Sequence, residues 1–78
     1  MNFFEQQRIR LDLNPTQMAA RLGITSVTVR SWEMDTNIPR LPIARLATDY
    51  EVTEKVMERE VMALRRRVEA KRAPVAAK

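Results

Sequence analysis

The chain has no cysteine and no histidine among its 78 residues. The first absence excludes disulfides and thiolate metal sites. The second removes the commonest general base and the commonest metal ligand. No stretch approaches the ~20 apolar residues of a membrane span. The opening "MNFFEQQRIR" lacks a signal-peptide pattern, so an intracellular, cytoplasmic protein is expected. No Gly-rich phosphate loop occurs, and no paired-acid arrangement implies a cleft. A chain of this size also has little room for a pocket. An enzyme is therefore not expected, nor a cofactor, a metal or a small-molecule ligand. No segment alternates apolar and polar residues for long, and no hairpin signal or internal repeat is present.

What is present is a single short chain of 9.1 kDa, one domain at most. A chain this short buries only about 60% of its unfolded surface, so a partner subunit would add stability. The net charge is +4, and its placement matters more than its size. Residues 1–53 carry Arg8, Arg10, Arg21, Arg30, Arg40 and Arg45 against Glu5, Asp12, Glu33, Asp35, Asp49 and Glu51, and are neutral. The excess lies after Thr53, where eight Lys and Arg face four Glu. Composition is thus a weak pointer to a polyanion partner.

Helix punctuation is dense. Asn2 in "NFFE" is placed to cap a helix with Glu5 at its third position. In "LNPTQM", Asn14 caps, Pro15 takes the first helical position where its missing N–H costs nothing, and Gln17 can reach back to the cap. Leu13 with Met18, Ile24 with Val29, and Val52 with Met57 share the spacing of a hydrophobic staple. Pro39 and Pro42 bracket the start of a fourth helix carrying Ile43, Leu46, Ala47 and Tyr50. The reading is all-α, with five helices near 2–11, 15–22, 26–34, 41–50 and 53–72. Pro74 stops the last one, and residues 73–78 are expected to fray.

Gly23, the chain's one glycine, falls just past the second helix, where a left-handed residue permits a sharp reversal. Ala19 is small where a close helix crossing needs it. Two short helices joined by such a turn match a helix-turn-helix, whose second helix enters the DNA major groove. In "LGITSVTVRSWE", Val29 and Trp32 fall on one face of the second helix. Ser26, Val27, Arg30 and Ser31 fall on another, free to touch DNA.

The stretch "QRIRLDLNPTQMAARLGITSVTVRSWE", Gln7 to Glu33, resembles the Xre/Cro family of phage and bacterial repressors, and the likeness runs more loosely through "PIARLATDYEVT". Arg8, Leu13, Ala19, Leu22-Gly23, Val29 and Trp32-Glu33 carry it. The resemblance implies a compact five-helix, lambda-repressor-like domain over residues 1–53 that binds operator DNA, usually as a two-fold dimer. By position, Ser26, Val27 and Ser31 fall where the family reads bases, with Arg30 beside them. Thr16 and Gln17, Thr28, and Asn37 and Arg40 fall in regions of phosphate contact. The resemblance also implies an Arg8–Glu33 ion pair tying the first helix to the end of the third. Three positions depart from the pattern. Pro15 replaces a usual Gln, Met34-Asp35 replaces a usual Asn-Gly, and Glu51 replaces a Gly expected before the last helix.

Several residues carry a second reading. Trp32 is core by its spacing. Arg8 invites a phosphate contact, but the structural pair is favoured. Val27 is either core or an exposed group for thymine methyls, and Arg30 is either a DNA contact or a solvated charge. Arg65, Arg66 and Arg67 resemble a nucleic-acid patch. Glu58, Glu60 and Glu69 interleave with the basic residues of that helix, which favours a solvated face. Met57, Val61, Leu64 and Val68 repeat at four, three and four, an a/d-type seam spanning about two heptads. It serves either a dimer contact, the favoured expectation for residues 54–72, or packing back onto helices 1 and 4.

The function expected is a sequence-specific repressor that occludes a promoter as a homodimer on an inverted-repeat operator in double-stranded DNA. The rival is a helix-turn-helix that binds protein, such as an antitoxin or a phage assembly adaptor.

Overall fold

The computed structural model describes residues 1–72, so the expected frayed tail at 73–78 lies outside the described residues. Among them are five helices and no strand: α1 (Phe3–Arg10), α2 (Pro15–Leu22), α3 (Ser26–Glu33), α4 (Ile43–Tyr50) and α5 (Glu54–Arg72). Local chemistry sets their starts. Asn2 accepts from Glu5 N at 3.1 Å. Asn14 and Gln17 form a reciprocal capping box, with both bonds at 2.8 Å. Thr25 caps α3 through Thr28 N, and Thr53 caps α5 through Val56 N. α4 begins two residues later than its prolines suggest, because Pro42 itself occupies the N-cap with an extended ψ of 144°.

Left-handed residues set several of the ends. Gly23 closes α2 at φ 73°. Asp12, Asp35 and Glu51 also have positive φ, at 60°, 56° and 56°. Asp35 and Glu51 are the two positions at which the resembled family carries glycine. Each is a side chain held where glycine is conformationally cheaper.

The helices share one core built on Phe4, Met18, Leu22, Trp32, Leu46 and Tyr50. Phe4 lies edge-on to Tyr50 at 5.6 Å and tilted against Trp32 at 6.2 Å. Leu13, Ile24 and Val52, the outer halves of the three staples, pack half-buried against this cluster.

α5 corrects the sequence reading. Met57, Val61, Leu64 and Val68 are no free seam: they are 0–5% exposed within the single chain. α5 packs along α4, and its apolar face joins the same core. The division after residue 53 therefore does not separate a finished domain from a dimerisation helix. The physical reason is supply of apolar surface. Met57, Val61, Leu64 and Val68 bury their side chains in the same cluster as Phe4, Trp32 and Tyr50, and a four-three-four stripe fits a core as well as a coiled coil.

Candidate nucleic-acid interface

α2 and α3 form a helix-turn-helix, and the turn between them is closely held. Gly23 N donates to Ala20 O at 3.3 Å and Ile24 N to Ala19 O at 3.0 Å. From α4, Arg45 Nη2 donates to Leu22 O at 2.9 Å, satisfying a carbonyl at the end of α2. A Cβ at position 23 would meet only the Arg45 guanidinium, at 3.4 Å, so the left-handed backbone rather than lack of space selects glycine there.

α3 is anchored on its inner side by Val29 and Trp32, both buried. At its end, Glu33 is buried and gathers two cations. Arg8 Nε and Nη2 donate to Glu33 Oε2 and Oε1 at 2.7 and 3.0 Å, a bidentate pair between α1 and α3. Arg8 Nη1 also donates to Leu13 O at 2.9 Å. Hydrogen bonding to Glu33 outweighs desolvation and raises the Arg8 pKa above its ordinary value. The pair is thus an internal brace, and Arg8 is too enclosed to reach a phosphate.

The outer side of α3 brings Ser26, Val27, Arg30 and Ser31 together around a shallow hollow of about 340 Å³, with Met34 and Thr36 completing its wall. Val27 is 76% exposed and Met34 59%, so Val27 is not a core residue. Two of its polar residues, Arg30 and Ser31, are less free than their positions suggest. Arg30 Nη1 donates to Glu33 Oε1 at 2.7 Å and lies 3.6 Å from Glu5 Oε2. Ser31 Oγ donates to Thr28 O at 2.6 Å, which still leaves its oxygen able to accept.

The residues expected at phosphates divide into two groups. Thr28, Asn37 and Arg40 share a second hollow with Ile24 and Leu41. Thr16 and Gln17 sit apart at the start of α2, both exposed. The Gln17 oxygen is occupied by the capping box, and its amide N–H groups remain to donate.

Three features were missed in the sequence. Met34 continues the Val27, Arg30, Ser31 stripe at helical spacing, and the seven-residue step from Val27 was a signal available to find it. Asp35 accepts from Asn2 Nδ2 at 3.1 Å and pairs with Arg67 at 3.2 Å. Burial pushes its carboxyl pKa up, but hydrogen bonds from Asn2 and Arg67 outweigh this and hold it below the ordinary value. Arg67 is therefore a brace between α5 and the α3–α4 loop rather than part of a solvated face. Lys71 and Arg72 reach the same loop, donating to Met34 O and Thr36 O, each at 3.3 Å. No local signal announces contacts across so many residues.

Among the described residues no cluster of acidic side chains is arranged to hold a metal ion, and no helix is long and apolar enough to cross a membrane. Comparison of the chain with protein-family models, with characterised proteins and with solved structures finds no match.

Proposed function

We propose that this protein is a sequence-specific regulator of transcription that binds double-stranded DNA through the outer face of α3. The observation that carries the reading is the two-sidedness of that helix. Val29 and Trp32 are fully committed to the core, while Val27 stands 76% exposed among two hydroxyls and a guanidinium. A Val exposed amid polar groups on the outer face of that helix is suited to contact thymine methyls in a major groove. Ser26 and Ser31 supply hydroxyls to base edges. Arg30, pinned through Nη1, keeps Nε and Nη2 for a guanine or a phosphate. Thr16, Gln17, Thr28, Asn37 and Arg40 would fix register on the phosphates. The resemblance to Xre/Cro repressors supports the same assignment. In this reading the protein is cytoplasmic, of phage or prokaryotic origin, and represses by occluding a promoter as a homodimer. Its two-fold contact lies outside the buried face of α5. The mechanism uses no cofactor.

A protein-binding helix-turn-helix, such as an antitoxin or an assembly adaptor, is the second reading. The neutrality of residues 1–53 and the adjacent exposed Val27 and Met34 favour it. Selection of bound duplexes from a random library separates the two. A recurring motif in two inverted copies, about one helical turn or 34–36 Å apart, is the expected result. Binding that falls steeply with salt accompanies it. Recovery of no enriched sequence, with capture independent of salt, overturns the DNA reading.

A further inference from the structure

We propose that the C-terminal end of α5 is a second element of the DNA interface, in which Lys71 and Arg72 contact backbone phosphates beside the groove entered by α3. The proposal rests on the DNA reading above and adds to it a contact surface that the helix-turn-helix itself does not contain.

Three observations lead there. First, residues 1–53 are electrostatically neutral, so the part of the chain before α5 brings no net charge to a polyanion. The excess positive charge lies in residues 54–78. Second, the fold carries part of that excess to the recognition face. Met34 and Thr36 line the hollow on the outer side of α3, and their carbonyls are the ones that Lys71 Nζ and Arg72 Nη2 approach at 3.3 Å. The ammonium and the guanidinium therefore lie against the loop that borders the surface proposed to meet DNA. Third, both groups are exposed and largely unspent. Each makes one hydrogen bond to a carbonyl and, among the described residues, neither has a carboxylate partner within 4.0 Å. An ammonium has three N–H donors and a guanidinium five, so most remain for phosphate oxygens.

Arg67 serves differently. Its charge is spent on Asp35 at 3.2 Å, which holds the end of α5 against the loop. This brace positions Lys71 and Arg72 beside the loop rather than joining them. The arrangement explains why a neutral helix-turn-helix can hold DNA: base reading comes from α3, and part of the non-specific attraction comes from a helix far along the chain. Such contacts act uniformly on all sequences, because phosphates carry no base identity.

The test compares the full chain with a K71Q/R72Q variant. Glutamine keeps a donor for the Met34 and Thr36 carbonyls and removes the charge. Affinity for the duplex selected by the parent is measured from about 50 to about 200 mM salt, where each lost phosphate contact lowers the log–log slope by ~0.9. The variant should lose about 1.8 from the slope, so that its affinity falls roughly tenfold less than the parent's over that range. Its preference among duplexes should be unchanged. K55Q/R59Q, near the opposite end of α5, is the control and should keep the parental slope. If the parent binds a duplex and K71Q/R72Q matches it in slope, the α5 contact is overturned while the DNA reading stands. The proposal is also overturned if K55Q/R59Q reduces the slope as much, because general charge then accounts for the effect. A parent that binds no duplex overturns both readings. Thermal melting of each variant reports whether the loop contact was structural: a slope loss at parental Tm supports the proposal, and a lowered Tm at parental slope opposes it.

Discussion

Replacing Arg8 by methionine should destabilise the protein without touching the surface proposed to read DNA. The change keeps most of the side-chain volume and removes three hydrogen bonds, two to Glu33 and one to Leu13 O. Glu33 remains buried, at 6% exposure. Its Oε1 keeps Arg30 at 2.7 Å, whereas Oε2 loses its donor. Removing one partner of a buried pair costs about 3–5 kcal/mol, and the surviving Arg30 contact places this case near the lower end, ~3 kcal/mol. A chain of this length has a total stability of roughly 4–12 kcal/mol, so the loss is a large share of it. The corresponding fall in Tm is about 12–24 °C. Thermal melting followed by far-ultraviolet circular dichroism measures it. Pairing Arg8→Met with Glu33→Leu should recover part of the loss, since an apolar replacement leaves no buried charge behind. A fall of less than about 4 °C for Arg8→Met, the response to losing ~1 kcal/mol or less, would refute the buried-brace argument.

Three further outcomes follow from the packing. Tyr50 is the chain's one tyrosine, and burial raises its phenol pKa above the ordinary 10.0. Its stabilising contribution is therefore complete below about pH 10 and is lost as pH rises toward the folded value. Phenolate absorbance should accordingly rise together with loss of helix; ionisation near pH 10 in a still-helical protein would contradict this. Glu51→Gly relieves a left-handed side chain at φ 56° and should raise stability by about 1 kcal/mol, or 4–8 °C in Tm, against a small loss of the exposed Arg21 pair. An unchanged or lower Tm would count against strain at that position. Leu64→Glu buries a charge in the core and should unfold the chain; a folded monomer formed from a parental dimer would restore the seam reading of α5.

The sequence disclosed most where the chemistry is local. Asn14, Pro15 and Gln17 announce the start of α2 within four residues, and Gly23 announces its end, because caps and left-handed turns are satisfied by near neighbours. On the outer face of α3, the exposure of Val27 was legible as one of two readings, and Met34 only by extending the same stripe. Contacts set by tertiary placement were not legible. The stripe from Met57 to Val68 fits a partner chain and a domain core equally well by spacing, and only its burial within the single chain decides between them. The meeting of Glu5 with Arg30, and of Lys71 and Arg72 with the loop after α3, depends on how α1 crosses α3 and how α5 lies along α4, which no local pattern encodes.

The central claim is that the outer face of α3 reads DNA. Backbone amide chemical shifts of labelled protein, followed during titration with the duplex it selects, test this most directly. The account predicts that the largest changes fall on Ser26, Val27, Arg30 and Ser31, with smaller ones at Thr16, Gln17, Thr28, Asn37 and Arg40. It further predicts that Val27→Ala together with Arg30→Ala lowers affinity at unchanged fold, each base contact being worth about 1–3 kcal/mol. Shifts centred elsewhere, with the double variant binding as tightly as the parent, would contradict it.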